Sequence, residues 1–214
     1  MNLDSPKRKG RKRAPLRTRL RAATAGAILD AAEAVFARDG VQLSRMGDIA
    51  REAGVAVGTI YNHFTDRDAL VHALLDARRK ALYARIDAAL ADPGQAFEAR
   101  FAALLGALFA HFDAHSGLFI VHMEAEVMQR GRGRGGIHTL LQRIAALVQE
   151  GVAAGALREQ DAELYPTLLL GMLRALFVQR IYGVGDPSPA DGAERMARIF
   201  LSGAGRRRPG ERRR

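Results

Sequence analysis

Apolar residues recur at helical spacing over most of this chain. In the first such stretch they fall at i, i+3, i+4, i+7 and i+8, which makes one stripe of an amphipathic helix: Ile28, Ala31, Ala32, Val35 and Phe36. Asp39-Gly40 predicts the end of this helix, because Gly40 suits a left-handed cap. No alternating apolar and polar run is bounded by turn residues, so strands are not expected.

Capping and turn residues predict where the later helices begin and end. Asp66 can cap a helix that runs to about residue 90, and Asp92-Pro93 begins the next, with Pro93 in its first turn. That helix is expected to end near His115, before a break at Ser116-Gly117. Further helices are predicted at 118–129, 137–154, 161–182 and 190–202, with a glycine-rich flexible connector at 130–136 and a loop at 183–189. The fold is therefore predicted to be all-α with about nine helices, two of them short.

The two short helices are predicted between residues 44 and 64. Ser44 can cap the first, and the second should span 57–63. A steep crossing of two helices needs a small residue at the contact, a turn residue that tolerates positive φ, and an aliphatic residue that fixes one helix on the other. Those positions are Ala50, Gly54 and Ile60, the last together with Val55. This spacing is typical of a helix-turn-helix unit, with Phe64 expected in its core.

Around this unit the sequence resembles the DNA-binding domain of the tetracycline-repressor-like (TetR) family of bacterial regulators. The matching segments are ILDAAEAVFARDG at 28–40, DIAREAGVAVGTIYNHF at 48–64 and DRDAL at 66–70. In that family the second short helix enters the major groove, so the resemblance implies base and phosphate contacts. The implied DNA-binding residues are Ser44, Arg45, Val57, Gly58, Thr59, Tyr61, Asn62, His63 and Arg67.

The net charge of +10 is concentrated at the two ends of the chain. Residues 1–21 hold nine basic residues and one acid, and residues 205–214 hold six and one. Residues 22–67 hold four basic and six acidic residues, so the predicted DNA reader is a weak phosphate binder by itself. The basic N-terminal arm, expected to be partly disordered, is therefore predicted to supply much of the DNA affinity, with a role in solubility alone as the alternative.

The rest of the chain resembles the family's ligand-binding and dimerisation region in architecture only. A mostly apolar effector pocket is implied there, for which the best candidates are Phe101, Leu105, Phe109, His122, Met123 and Phe177. The segment 161–182 is apolar around much of its circumference, which indicates burial on two sides. With the last helix it is predicted to form a four-helix dimer interface through Leu164, Leu168, Gly171, Met172, Ala175, Met196 and Phe200.

The resulting interpretation is a cytoplasmic, homodimeric repressor that binds a palindromic operator and is released by an apolar effector. Its expected parts are an arm (1–21), a DNA-binding domain (22–68), a ligand-binding and dimerisation domain (69–204) and a basic tail (205–214). An architectural, nonspecific DNA-binding protein and a ligand-independent activator remain alternatives. No enzyme, cofactor or membrane association is expected. His111 and His115 have a spacing that can bind a metal, but no third ligand is fixed by spacing, so none is expected.

Overall fold

The computed structural model describes residues 15–117, 134–181, 183 and 189–204, and all regular elements in these ranges are helical. We number the α-helices in chain order. They are α1 (Leu16–Asp39), α2 (Met46–Glu52), α3 (Val57–Tyr61), α4 (Arg67–Ala89), α5 (Phe97–Ala114), α6 (Arg134–Ala153), α7 (Tyr165–Ile181) and α8 (Pro189–Ala204), with a 3₁₀ turn at Ala162–Leu164. The predicted all-α fold is confirmed. The predicted helix at 118–129 and most of the predicted loop at 183–189 lie outside the described residues.

Two apolar cores organise these helices. The first joins the buried faces of α1, α2 and α3 to the beginning of α4, where Leu70 and Leu74 are buried. The second joins the end of α4, at Ile86, to α5, α6, α7 and α8. Because α4 contributes to both cores, one continuous helix connects the N-terminal unit to the C-terminal unit.

Several helix ends agree with the sequence prediction. Asp66 caps α4, since its carboxylate accepts a hydrogen bond from the Ala69 amide at 2.7 Å. Gly40 ends α1 at φ 77°, although its ψ of 155° extends the chain instead of giving a left-handed helical turn. Gly54 and Gly155 adopt φ values of 66° and 71°, in the region that glycine enters without a steric penalty.

Other helix ends were predicted wrongly, and local hydrogen bonds explain two of them. The helix α1 begins at Leu16, inside the stretch 1–21 that was predicted as the basic arm. The helix α2 has no side-chain cap, because the Ser44 hydroxyl donates to the Gly40 carbonyl instead. Pro93 precedes α5 by four residues, in a turn where Asp92 accepts the Gly94 amide. The break after α5 falls at His115, and Ser116-Gly117 is already helical.

Two further corrections concern the C-terminal unit. Residues 134–136, predicted to be part of a flexible connector, form the first turn of α6. Asp161 does not cap a long helix. It has φ 60° before the 3₁₀ turn, and α7 begins only at Tyr165. The long helix predicted from 161 is therefore divided in two.

Candidate nucleic-acid interface

The helix-turn-helix is held together as the sequence predicted. Ala50 and Ile60 are buried in the N-terminal core, and Gly54 makes the turn between α2 and α3. The Val55 amide donates to the Ala50 carbonyl at 3.0 Å and so closes the turn. Phe64 packs partly buried against the same core, as expected. The helix α3 is thus fixed by one fully buried side chain, Ile60, and by the closed turn before it.

The opposite side of α3 is open to solvent. Val57 and Tyr61, four residues apart, are 43% and 52% exposed although both are large and apolar. Gly58 and Asn62 are exposed beside them, and Thr59 and His63 are half-buried. The assigned helix ends at Tyr61, two residues before the predicted end. The His63 and Phe64 amides still donate to the Ile60 carbonyl, so the chain stays coiled.

Of the predicted phosphate-binding residues outside α3, Arg45 is exposed directly before α2. Arg67 is half-buried and donates to the Gln42 carbonyl at 2.9 Å, so its guanidinium ties the start of α4 to the loop before α2. Ser44 is buried, and its hydroxyl donates to the Gly40 carbonyl at 2.5 Å. The Ser44 side chain therefore supports the loop and is not part of the proposed DNA surface.

The first two turns of α1 belong to the stretch 1–21, which was predicted to be a partly disordered basic arm that supplies DNA affinity, and they are helical. Arg17 and Arg21 are exposed and stand before the buried stripe that begins near Ile28. Arg21 donates to the Asn62 carbonyl at the end of α3, at 3.4 Å. The signal was present in the sequence, since Arg17, Arg21, Thr24 and Ile28 share one helical register.

Two of the four basic side chains of the reader are paired with acids. Arg38 pairs with Asp39 and Glu52, and Arg51 pairs with Asp48. A guanidinium that is already paired contributes less positive potential to a phosphate backbone. The basic charge next to α3 therefore comes mainly from Arg45, Arg67 and the start of α1.

The predicted effector residues that the structure describes form a packed aromatic core. Phe101 stacks between Phe97 and Phe200, with ring centres 5.7 and 5.3 Å away. Phe109 meets Phe177 edge to face at 5.3 Å, and Leu105 is buried in the same cluster. His122 and Met123 lie outside the described residues.

The predicted dimer residues divide into two groups. Leu164 and Leu168 are 50% and 53% exposed, and with the exposed Gly171 and Ala175 they make one stripe along α7. Met196 is 1% exposed and packs inside its own subunit, so it does not reach this surface. A groove of about 540 Å³ runs between α7 and α8 and is lined in part by four of the predicted residues: Leu164, Leu168, Met172 and the mostly buried Phe200.

Charged side chains join the two units at one place. Arg78 of α4 donates to Glu33 and Asp30 of α1, at 2.7 and 2.5 Å, and Nδ1 of His115 lies 3.0 Å from the Glu33 carboxylate. The chain just after α5 also touches α1, because a Cβ at Gly117 would lie 2.3 Å from the Ala37 side chain. Glu33 is thus held by both the connecting helix and the end of α5.

These features define a helix-turn-helix DNA-binding unit carried on a helical C-terminal bundle. Residues 28–74 match the family of bacterial regulatory proteins, tetR family. The segment with the reading helix belongs to this family, and the described chain has the fold of its solved members.

Curated relatives match only part of their length. The chain is 46% identical over 54 residues to the transcriptional regulator TtgR of Pseudomonas putida, which is 25% of this chain and 26% of that protein. It is 32% identical over 104 residues to the transcriptional repressor KstR2 of Mycobacterium tuberculosis, 47% of this chain and 50% of that one. The alignments therefore span about a quarter and a half of these relatives.

Solved structures match over nearly the whole fold. The fatty acid degradation regulator FadR from Bacillus halodurans superimposes with a TM-score of 0.75 at 20% identity, covering 89% of this chain and 97% of that one. The ketosteroid transcriptional regulator KstR2 of Mycobacterium tuberculosis superimposes with a TM-score of 0.68 at 23% identity, covering 86% and 95%. Within the described ranges, no helix is both long and apolar enough to cross a bilayer.

Proposed function

We propose that this chain is a dimeric transcriptional repressor that reads a palindromic operator through α3 and is released by a small effector bound in its C-terminal unit. The observation that carries the proposal is the outer face of α3, where large apolar and aromatic side chains stay exposed while Ile60 anchors the opposite face. Such a face suits base edges and thymine methyl groups in the major groove. On it we assign Val57, Gly58 and Thr59 to bases and Tyr61, Asn62 and His63 mainly to phosphates.

Footprinting on the DNA that flanks the protein's own gene tests this function. We expect the unliganded protein to protect one palindromic site, with half-sites about one helical turn apart, because two reading helices in a twofold dimer must enter successive major grooves. A nonspecific architectural protein would instead coat this DNA and a shuffled sequence equally at physiological salt. Equal protection of both DNAs would reject the repressor proposal.

Gly58 offers a sharp test of which side of α3 meets DNA. An added Cβ would meet nothing within 4 Å in the free protein, and Gly58 is in an ordinary helical conformation. Gly58→Ala should therefore raise the free energy of unfolding by about 0.5 kcal/mol through helix propensity. We expect operator affinity, measured by fluorescence anisotropy, to fall, because the new methyl group stands where DNA approaches.

Gly106→Ala is the matched control for this substitution. Gly106 is also helical and also has open space at its Cβ, but it lies in α5 of the C-terminal unit. Gly106→Ala should gain stability without any change in operator affinity. Unchanged affinity in both variants would remove Gly58 from the proposed interface.

The basic arm is proposed to supply much of the phosphate binding. The start of α1 supports this role, since Arg21 already lies against the end of α3. Residues 1–14 directly precede this helix in the sequence. Deleting residues 1–14 removes six basic residues and leaves α1 whole. The slope of log affinity against log salt should then become shallower, by about 0.9 for each phosphate that the arm no longer neutralises.

The C-terminal tail provides a control of equal charge. Residues 205–214 also contain six basic residues and one acid, but they follow α8 in the other unit. We expect deletion of 205–214 to leave the salt slope unchanged. If the two deletions change the slope equally, the arm has no special place at the DNA.

A further inference from the structure

His111 is a buried polar residue that has no assigned role. Its side chain lies on the core-facing side of α5 and the residue is 8% exposed, yet Nδ1 has no hydrogen-bond partner among the described residues. An imidazole nitrogen buried without a partner carries the full cost of losing water. Nδ1 of His111 could therefore form a hydrogen bond with a ligand inside the C-terminal unit.

Three basic side chains that face His111 disfavour its charged form. Arg78 and Arg85 come from α4, and His115 comes from α5, with its ring centre 4.8 Å from that of His111. Burial, together with these three groups, lowers the pKa of His111 to about 4, so the ring is neutral near pH 7. The acids at this place are Glu33 and Asp30 of α1, and both are engaged by Arg78. Arg85 has no such acid among the described residues, so a negative charge added at His111 would be attracted by Arg85.

We propose that His111 is the polar anchor of the effector site and that the effector is an amphipathic carboxylic acid, bound with its carboxylate at Nδ1 of His111 and its apolar part toward the phenylalanines of the C-terminal core. The inference rests on the proposed function and adds the chemical class of the effector. A carboxylate accepts a charge-assisted hydrogen bond from the imidazole and is attracted by the arginines of α4. Phe112, which follows His111, stacks on Phe177 at 3.7 Å and leads into that apolar core.

The same site explains how binding would reach the DNA reader. His115, the neighbour of His111, holds Glu33 of α1 through Nδ1, and Arg78 holds the same carboxylate. A ligand carboxylate competes with Glu33 for these two side chains. It therefore weakens the contact between α5 and α1, which gives the effector different affinities for two arrangements of the reader.

Calorimetry on the full chain tests the proposal with matched acids and alcohols. The probes are octanoate beside octan-1-ol and 3-phenylpropanoate beside 3-phenylpropan-1-ol, each titrated near pH 6 in two buffers of different ionisation enthalpy. In at least one pair we expect the acid to bind about tenfold more tightly than the alcohol. We also expect that acid to take up protons from the buffer, because a carboxylate at Nδ1 raises the pKa of His111.

His111→Leu should remove both the preference for the acid and the proton uptake. His138→Leu is the control, because His138 is an exposed histidine on α6, and its loss should change neither quantity. The proposal is overturned if no acid binds better than its alcohol, or if His111→Leu keeps the preference. Either failure leaves the operator footprint of the unliganded protein intact, whereas failure of the proposed function would appear as the loss of that footprint.

Discussion

Replacing Leu168 by glutamate is expected to convert the proposed dimer to a monomer and to lower operator affinity at least about 100-fold, since a monomer loses the second half-site. Leu168 is half exposed in the middle of the α7 stripe, and in a twofold dimer it enters the interface from both subunits. Burying two unpaired carboxylates against apolar side chains costs several kcal/mol. Sedimentation velocity and fluorescence anisotropy measure the two effects.

Two further variants separate loss of the dimer from loss of the fold. Gly171→Leu adds bulk on the same stripe, and since a Cβ at Gly171 meets nothing within the subunit, the monomer should keep its stability while the dimer dissociates. Glu98→Gln changes one charge at an exposed position of α5, away from the α7 stripe, and should leave the dimer intact. A Leu168→Glu protein that sediments as a dimer would rule out this face as the interface.

His111 is expected to make the wild-type protein acid-labile and its leucine variant less so. The pKa of His111 is lowered to about 4 in the folded protein, from about 6.5 when unfolded, because burial and the neighbouring cations disfavour the charged ring. Between these two values the unfolded chain binds more protons than the folded one. The stabilisation from the neutral ring is therefore complete above about pH 6.5 and is lost as the pH falls towards 4.

Urea unfolding at about pH 7 and about pH 5 gives the size of this effect. The wild type should lose roughly 1–2 kcal/mol more than His111→Leu between the two conditions. At pH 7 the leucine variant should be at least as stable as the wild type, because it removes a buried nitrogen without a partner among the described residues. Parallel pH profiles would mean that His111 is solvated in the folded protein. A His111→Leu protein that folds and resists low pH would also show that its loss of carboxylate binding is not caused by unfolding.

The helix-turn-helix could be predicted closely because its constraints are local. The glycine at 54, the small residue at 50 and the aliphatic residue at 60 are separated by fixed numbers of residues, and a two-helix crossing needs these residue types at these distances. Burial and the positive φ of Gly54 confirm this part. Ser44 shows the limit of such reasoning. Its hydroxyl could cap α2 or donate to a nearby carbonyl, and in the loop it donates to the carbonyl of Gly40.

The C-terminal unit was less predictable because its residues meet over long separations. Phe101, Phe109 and Phe177 were predicted to line an effector pocket, and they are buried in the C-terminal core. An apolar periodicity does not distinguish a packed core from a ligand-lined pocket. Met196 and Leu168 look alike in sequence, and only the packing of α8 on α5 buries the first and leaves the second exposed. The contact between Glu33 and His115 joins residues 82 positions apart and had no local signal.

For this protein, the sequence alone determined the helices, the reading unit and the basic ends, because periodicity, capping residues and charge act within a few turns of chain. The tertiary structure decided which apolar residues remain exposed on α7, which arginines stand beside α3, and that α4 and Glu33 link the two units. Those outcomes depend on how whole helices pack against each other, and packing free energy is set by surfaces that come together only when the chain has folded.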